Sequence, residues 1–558
     1  MNARLSLRQL LAETQGRFIV PSFQRRYRWG EEATDKQNPV TLLLEGIGEA
    51  KSRGTDHFVH SIQLRRNDST GAYEIINGQQ RITCLYLLLK ALGSDAPFHL
   101  DYEARPKAKA WLMSRFGDCT ASNLDEDTCD IYHFKKSLEA IDAYFARATE
   151  QEKAEFADYA LDHVHTLAIT ADEKADPVAT FGLMNATKES MQAADIIKAD
   201  ILRLASDPAQ PHATPRDLYN QRHRYAQEWE KCALWWNQAD VRQYYSTSAD
   251  SPMSLMLMLC LRNYGDDCTQ PLTYTEFASA IAQSDAKPYH AAKHFLLRMR
   301  RIQKRFDDAY ADAETYNRIQ AILLLQSEQA RYDFLWMYFA QMSISKQELV
   351  RYYKLSFLGM TIEEIRNGES WTERFEELHA ALAMADVYHT EAKRDVFNLL
   401  LRLNIDEDIK LGRRFDFSIW NNRSLEHIYS KSKVWHVADD RNCYDGNDTR
   451  LPYRAQRLSD DKTMMPRTEI VNADGMQLSE HCIGNLVLLY GQNNADFGNA
   501  DFEHKKMMFL TPGDLGAFKS RNLLHSVCVF AGKEWNAQSI VANYNLTLKN
   551  LKLYYGNH

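Results

Sequence analysis

The sequence predicts a multidomain α+β protein with a small α/β domain, a long helical region and a C-terminal domain of strands, loops and helices. At 558 residues, the chain is longer than one hydrophobic core supports. Short β-like runs punctuated by Gly, Asn and Pro come first. Apolar residues at three- and four-residue spacing follow, and β-like pieces then return. We therefore expect three regions, with the boundaries 1–104, 105–404 and 405–558.

The composition indicates a folded cytoplasmic protein. Hydrophobic residues make up 45% of the chain and charged residues 25%, and the nine cysteines form no CxxC pair. The longest apolar stretch, "MSLMLMLCL", is too short to span a bilayer, and the N-terminus "MNARLSLRQLLAETQ" is not a secretory signal. We expect no membrane association. The net charge of −8 does not itself indicate nucleic-acid binding, which depends on local basic patches.

Two motifs in the first region combine a predicted strand with glutamine and arginine. They are "FIVPSFQRRYRWG" (18–30) and "YEIINGQQRITCLYLLLKAL" (73–92). In the second motif an apolar β-branched run meets a turn and then a helix start. Backbone N–H groups at a helix N-terminus favour an anion, and arginines add charge-assisted bonds. The motifs therefore predict an anion cradle formed by Gln24, Arg25, Arg28, Asn77, Gly78, Gln79, Gln80 and Arg81. The alternative is that Gln and Arg only cap the helix and bond loop carbonyls.

The middle region is predicted to be predominantly helical, because segments such as "RDLYNQRHRYAQEWEKCALWW" keep helical apolar spacing and glycine is sparse. In "LLRMRRIQKRF" (296–306), Arg298, Arg301 and Arg305 share a helical face. That face could follow a DNA backbone, or it could simply be solvated.

The C-terminal region carries the clearest chemical pattern, in "SLEHIYSKS" (424–432) and "CIGNLVLLYGQNNADFGNADFEHKK" (482–506). A Glu-His pair at a strand end, an Asn-bearing turn, and a helix with trailing Asn and Lys follow the order of a ββα-metal (HNH) nuclease. Phosphodiester hydrolysis needs a base to activate water, and a neutral imidazole suits that role near pH 7. It also needs a hard divalent cation, which carboxylate and amide oxygens hold.

The two halves of this pattern are separated by 58 positions, from His427 to Asn485. We expect the polar stretch 436–476 to be a long loop or insertion. His436, Cys443, His481 and Cys482 lie in the same region, but their spacings fit no zinc finger.

The N-terminal motifs resemble those of GmrSD-type, modification-dependent (type IV) restriction endonucleases. The segment "FGLMNATKESMQAADIIKADIL" (181–202) is similar to a third family signature, with Phe181, Asn185, Asp195 and Lys198 matching. The resemblance implies an N-terminal ParB/sulfiredoxin-like domain that binds and hydrolyses a nucleoside triphosphate at the Gln-Gln-Arg turn. One departure bears on hydrolysis: Asn77 stands where the family usually has Asp.

The C-terminal motifs, with "EWNAQSIVANYNLTLKNL" after them, resemble the HNH domain of the same family. Ser430 stands where the family usually has Pro. The resemblance implies a role for each residue: His427 as general base, Glu426 as metal ligand, Asn485 as support for His427 or the turn, Asn494 (or the adjacent Asn493) as second metal ligand, and Lys505 as the closing basic residue.

Together these observations predict an NTP-regulated endonuclease that uses Mg²⁺ or Mn²⁺ to cut or nick modified double-stranded phage DNA in antiviral defence. Its expected partners are that DNA, the nucleotide and, in a homo-oligomer, further copies of itself. Two alternatives stay open. One is a nucleotide-switched DNA-binding protein with a degenerate nuclease site, and the other is a non-specific toxin nuclease.

Overall fold

A computed structural model describes residues 2–30, 38–67, 70–117, 128–170, 192–248, 251–511 and 518–556. The chain divides into two compact units. The N-terminal unit consists of Met1–Asn263 and Gln270–Gln303, and the C-terminal unit consists of Tyr264–Thr269 and Lys304–His558. Each unit contains both strands and helices, which confirms the predicted multidomain α+β class. Phe181 and Asn185, with the rest of 181–191, lie outside the described residues.

A six-stranded mixed sheet forms the frame of the N-terminal unit. Its strands are β1 (Asn2–Ser6), β2 (Arg17–Val20), β3 (His57–Arg66), β4 (Tyr73–Asn77), β5 (His99–Tyr102) and β6 (Val164–Thr170). The spatial order is β1-β6-β3-β4-β2-β5. The pairs β1–β6 and β3–β4 are antiparallel, and the other three pairs are parallel.

Three of these strands confirm the β-like runs seen in the sequence, whereas β6 lies within the stretch expected to be helical. Its segment "VHTLAIT" is short, and it follows a helix without a glycine or proline break. The strand is fixed by long-range pairing with β1 and β3, which local spacing does not reveal. The sheet therefore draws on residues on both sides of residue 104.

The described helices of the N-terminal unit cover the sheet and extend beyond it. They are α1 (Leu7–Glu13), α2 (Pro39–Arg53), α3 (Gln79–Ala91), α4 (Pro106–Phe116), α5 (Cys129–Tyr144), α6 (Glu150–His163), α7 (Ala193–Ala205), α8 (Pro215–Trp236), α9 (Ala239–Tyr245), α10 (Ser254–Leu261) and α11 (Tyr274–Ala282). Helix α12 (Pro288–Ala311) begins in this unit, and its residues from Lys304 belong to the C-terminal unit.

The most buried helix of this unit is α3, which follows β4 through a single glycine. Its residues 79–80 and 82–89 are all buried, and the hydrophobic ones among them pack in one core cluster with Phe18, Ile62, Ile75 and Phe134. Because apolar side chains occur on every face of "ITCLYLLL", this helix is stable only in the interior. Burial of α3 fixes the turn at Gly78 in place.

The C-terminal unit is mainly helical. After α12 its helices are α13 (Ala313–Leu325), α14 (Glu328–Leu335), a π-helix (Trp336–Gln341), α15 (Lys346–Ser356), α16 (Ile362–Asn367), α17 (Thr372–Leu382), α18 (Lys393–Lys410), α19 (Ala455–Asp460), α20 (Gly491–Phe497), α21 (Phe502–Leu510), α22 (Leu524–Phe530) and α23 (Ala537–Gly556). Among the described residues of the chain, no helix is both long and apolar enough to cross a membrane.

Two small sheets complete the C-terminal unit. The antiparallel pair β7 (Arg423–His427) and β11 (Leu486–Tyr490) confirms the two β-like pieces of the sequence. Between them, β8 (Val434–Val437), β9 (Cys443–Asp445) and β10 (Met465–Pro466) form a three-stranded sheet. The stretch 436–476 is thus a folded insertion. A small core joins Cys443 and Leu458 of the insertion to Trp435, the residue just before it.

Candidate functional site

The strand pair β7–β11 places the Glu-His motif in the interior of the C-terminal unit. In this antiparallel register His427 lies opposite Leu486, and Glu426 lies opposite Val487. Residues 486–490 are all buried, because both faces of β11 are covered. Helices α20 and α21 follow β11 along the chain. The segment therefore has the strand–strand–helix order that the sequence predicted, with the folded insertion between the strands.

Asn485 connects the end of β7 to the start of β11. Its side chain is fully buried and accepts a hydrogen bond from the Tyr429 backbone N–H at 2.8 Å. Its Nδ2 donates to the carbonyl oxygens of Tyr429 (3.0 Å) and Glu480 (2.9 Å). Asn485 thus holds the chain that leaves β7 against the chain that enters β11.

Lys505 on α21 reaches both residues of the Glu-His motif. Its buried Nζ donates to Glu426 Oε1 at 2.5 Å and to the carbonyl oxygen of His427 at 2.7 Å. Burial raises the pKa of Glu426, and the Lys505 ammonium opposes that shift. A buried carboxylate of this kind needs a neighbouring cation.

His427 has a defined hydrogen bond at one ring nitrogen only. Its Nε2 lies 2.9 Å from Nδ1 of His481, and its Nδ1 has no hydrogen-bond partner among the described residues. Burial first, and then the nearby His481, keep the pKa of His427 well below 6.5, so the imidazole is neutral near pH 7. A neutral imidazole with one unengaged nitrogen can accept a proton from water.

The two adjacent asparagines of α20 differ in their surroundings. Asn494 Nδ2 donates to Ser424 Oγ (2.5 Å) and to the Leu425 carbonyl (3.2 Å), both on β7. Its Oδ1 accepts no hydrogen bond from the described residues. Asn493 is buried, and its Oδ1 accepts bonds from the backbone and hydroxyl of Ser520, both at 2.9 Å. Asn494 is therefore the asparagine with an amide oxygen left for a ligand.

Sequence reasoning missed a cluster of metal-ligand side chains beside His427. Asp386, His389 and His481 each offer a ligand atom, and these atoms lie within 4.8 Å of one another. Asp386 and His389 belong to the segment between α17 and α18, and His481 precedes β11. The Asp-x-x-His spacing of 386 and 389 was the one local signal. The pairing with His481 comes only from the fold.

In the N-terminal unit, the turn between β4 and α3 gathers the predicted glutamines. Gln24 Nε2 donates to the carbonyl oxygens of Ile75 and Ile76 of β4, each at 2.8 Å. Gln80 Oε1 accepts from the Arg28 backbone N–H at 2.8 Å, and Gln80 Nε2 donates to Gln79 Oε1 at 2.8 Å. The two motifs therefore form one structure, in which the glutamines tie the loop after β2 to the start of α3.

Three buried amide atoms beside this turn have no hydrogen-bond partner among the described residues. They are Gln63 Oε1, Asn77 Nδ2 and Gln79 Nε2. Gln63 and Asn77 are paired positions of β3 and β4, and Gln79 begins α3. Unsatisfied buried polar atoms are costly, so their grouping beside a helix N-terminus is typical of a site that a polar ligand completes.

The cations near the turn have different roles. Arg25 makes no hydrogen bond to the described residues. Burial lowers its pKa, and Asp195 opposes that effect. Arg81 NH1 instead donates to the carbonyl oxygen of Val59 at 2.9 Å. Lys198 is buried and pairs with Glu230 at 2.6 Å. Of these cations, Arg25 is the one without an assigned acceptor.

The three arginines of α12 are not equivalent. Arg298 and Arg301 are exposed, and Arg298 NH2 lies 3.4 Å from the carbonyl oxygen of Leu259. Arg305 is half-buried, with its guanidinium 5.1 Å from the centre of the Tyr338 ring.

Two family models match the chain, and together they span about two thirds of it. The model of the GmrSD restriction endonuclease N-terminal domain matches residues 7–202, and the model of the GmrSD C-terminal domain matches 372–546. Both sites described above lie within these matches. The protein is therefore a restriction endonuclease, an enzyme that binds and cleaves DNA. It belongs to the GmrSD restriction endonuclease family. None of the curated proteins compared with the chain matches it.

Proposed function

We propose that this protein is a divalent-metal-dependent HNH endonuclease in which His427 is the general base. The observation that carries the proposal is the surroundings of His427: a buried, neutral imidazole with Nδ1 unengaged, next to a Glu426 carboxylate paired with Lys505. In the reaction, His427 takes a proton from a water molecule, and the resulting hydroxide attacks the scissile phosphorus. The bond between that phosphorus and the leaving sugar oxygen breaks, and the leaving oxygen takes up a proton from solvent. Lys505 and Asn485 hold the strand end that carries His427.

The donor types of Glu426 and Asn494 fit a hard divalent cation. Glu426 offers a carboxylate, and Asn494 offers an amide oxygen that is not used within the described structure. Oxygen donors of this kind suit Mg²⁺ or Mn²⁺. Such a cation would stabilise the charge that develops on the phosphate and on the leaving oxygen.

The second part of the proposal is a nucleoside triphosphate site at the β4–α3 turn. Its support is the group of unpaired amides at Gln63, Asn77 and Gln79, beside the N-terminus of a 13-residue helix. The N–H groups of Asn77 and Gln79 suit phosphate oxygens, and Arg25 supplies positive charge. Hydrolysis of a phosphodiester bond needs no nucleotide, so the nucleotide would regulate cleavage.

The third part is the target. Family membership supports the proposal that the enzyme cleaves or nicks modified phage DNA and so protects a host cell. The exposed Arg298 and Arg301 are candidates for contacts with the DNA backbone, because such contacts need accessible cations.

A plasmid-cleavage assay tests these proposals. Unmodified, glucosyl-hydroxymethylcytosine and phosphorothioate DNA are compared with Mg²⁺ or Mn²⁺, with and without each NTP. We expect metal-dependent cleavage of a modified substrate, and we expect His427→Ala to lower its rate by about 100-fold or more. The control is His436→Ala, a half-buried histidine on β8.

Two outcomes would contradict the proposal. If folded wild-type protein cleaves none of the substrates, the chain is a DNA-binding sensor with a degenerate site. If it cleaves unmodified DNA or RNA at comparable rates, it is a non-specific nuclease.

A further inference from the structure

The cluster of Asp386, His389 and His481 lies at the edge of the proposed catalytic site. His389 Nδ1 is 3.0 Å from Asp386 Oδ2, and the His389 and His481 rings are 4.4 Å apart. The backbone N–H of Val387 donates to the His481 carbonyl at 3.1 Å, which joins the two segments. The side chains of His389 and Asp386 are 55% and 36% exposed, whereas that of His481 is 6% exposed. An ion from solvent can therefore reach the cluster.

The donor set of this cluster differs from the set beside Glu426. Two imidazoles and one carboxylate suit Zn²⁺ and related transition metals, and three protein ligands leave one tetrahedral position open. Mg²⁺ prefers oxygen ligands and an octahedral shell. A transition metal would therefore favour the cluster of Asp386, His389 and His481, and Mg²⁺ would favour the oxygen donors Glu426 and Asn494.

His481 connects the cluster to His427, since His481 Nδ1 lies 2.9 Å from His427 Nε2. For His427 Nδ1 to accept a proton from water, the His427 proton must sit on Nε2 and point to an unprotonated His481 Nδ1. The ring of Tyr388 packs against His427, with 4.7 Å between ring centres, and limits rotation of the imidazole.

A metal ion on His481 disrupts that arrangement in either of two ways. If the metal binds Nε2 of His481, the ring proton of His481 sits on Nδ1 and is donated to His427 Nε2. The His427 proton is then on Nδ1, which can no longer accept one from water. If the metal binds Nδ1 of His481, the contact with His427 is lost. In both cases His427 loses the orientation or tautomer that a base requires.

We propose that Asp386, His389 and His481 form a binding site for Zn²⁺ or a similar transition metal, and that occupancy of this site suppresses DNA cleavage. The suppression rests on the proposed function of His427, whereas the metal site does not.

The metal site is tested by binding. Co²⁺ is titrated into the full chain in excess Mg²⁺, and its visible absorption is measured. Zn²⁺ is then added, and the concentration of Zn²⁺ that displaces the Co²⁺ gives the relative affinity of the site for the two metals. We expect one Co²⁺ with a low-coordinate spectrum in the wild type and in His379→Ala. His379 lies outside the cluster in the same unit. In His389→Ala and Asp386→Asn we expect the affinity to fall by about tenfold or more. An unchanged spectrum and affinity in both variants would overturn the site.

The regulatory effect is tested by the ratio of cleavage rates without and with Zn²⁺, in constant Mg²⁺, within each variant. We expect Zn²⁺ to slow the wild type and His379→Ala by about tenfold or more, and to slow His389→Ala much less. An equal ratio in His389→Ala would overturn the regulation, because Zn²⁺ would then act elsewhere, for instance by displacing Mg²⁺. If no protein cleaves DNA, the proposed nuclease function fails, and the Co²⁺ titration still decides the metal site.

Discussion

At the scale of single residues, the proposed nuclease site depends on charge compensation in a buried setting. Glu426 is a carboxylate whose pKa burial raises, and Lys505 is the cation that opposes this shift. His427 is neutral because it is buried, with His481 as its next strongest influence. The surroundings therefore affect the charges of these two adjacent residues in opposite ways. Glu426 is helped to stay charged, and His427 is kept uncharged, as a ligand and a base require.

The Lys505–Glu426 pair gives a prediction about stability. Lys505→Met leaves Glu426 buried without its cation. We expect the free energy of unfolding to fall by about 3–5 kcal/mol, because breaking a buried pair leaves one charge uncompensated. Thermal unfolding of the full chain measures this.

The control for that prediction is Lys506→Met, since Lys506 is the next residue of α21. Its Nζ donates to the Lys533 carbonyl at 3.3 Å in an exposed setting and lies 6.0 Å from the centre of the Phe502 ring. Equal loss of stability in the two variants would contradict the role of the buried pair.

The sequence predicts some of the candidate site residues, for a physical reason. The roles expected for Glu426, His427 and Asn485 depend on local order, a strand followed by a turn, which the chain itself encodes. The positions of Asp386 and His389 depend on a backbone contact between Val387 and His481, 94 residues apart. The spacing of residue types along the chain indicates local structure only, so it does not reveal a contact between residues so far apart.

At the scale of elements, the β4–α3 turn needs its glycine for two separate reasons. Gly78 has φ +98°, a conformation that L-residues rarely adopt, and a Cβ there would lie 2.7 Å from Ile62 Cγ2. Ile62 is a buried core residue of β3, so displacing its side chain disturbs the packing around it. The turn therefore cannot relax around a side chain.

We expect Gly78→Ala to weaken NTP binding by about tenfold or more, because the amides of Asn77 and Gln79 would shift with the turn. Binding of a fluorescent NTP analogue measures this. The control is Gly71→Ala, since Gly71 has φ +68° but nothing within 4 Å of its Cβ position. If Gly71→Ala weakens NTP binding as much as Gly78→Ala does, the loss comes from backbone strain at a positive φ and not from a shift of the β4–α3 turn.

A second element-scale prediction concerns helix α8, whose Glu230 joins three cations, of which Lys198 and Arg105 are buried. Its carboxylate lies 2.6 Å from Lys198, 3.2 Å from Arg26 and 3.8 Å from Arg105. Burial alone would raise the pKa of Glu230, but these cations, Lys198 above all, hold it far below 4.5. A carboxyl whose pKa is depressed on folding contributes stability above its unfolded pKa, and that contribution is lost as the pH falls.

Glu230→Gln should therefore lower the unfolding temperature at pH 7, and the difference from wild type should shrink as the pH falls below about 4.5. Thermal unfolding between pH 7 and pH 3 measures this. Glu228→Gln is the control, because Glu228 on the same helix pairs with the more exposed Arg300. A difference that stays constant with pH would show that Glu230 does not act through its charge.

The elements that the sequence predicted are those with strong local signals: the strand and glycine before α3, and the pair β7 and β11. Strand β6 was missed, because its identity as a strand depends on its neighbours β1 and β3. The small sheet of the insertion was missed for a related reason. Its strands have two to four residues and are stabilised by the small core around Trp435.

At the scale of the whole molecule, the nucleotide and the DNA would be linked by a coupling free energy. If the NTP changes the affinity of the enzyme for DNA by a factor, then DNA must change the affinity for the NTP by the same factor. This reciprocity can be measured only where no DNA is cut. His427→Ala suits the measurement, because it removes the proposed base and leaves the β4–α3 turn unaltered.

In His427→Ala we expect the NTP to shift the DNA dissociation constant by about 5- to 100-fold, and DNA to shift the NTP dissociation constant by the same factor. Fluorescence titrations in both orders measure the two shifts. Adding Asn77→Ala should remove both together. The Asn77 Nδ2 has no partner among the described residues, so Asn77→Ala removes no hydrogen bond that this atom makes to them. If both dissociation constants stay unchanged, the nucleotide does not act through DNA affinity. A DNA shift that survives Asn77→Ala would place the nucleotide away from this turn.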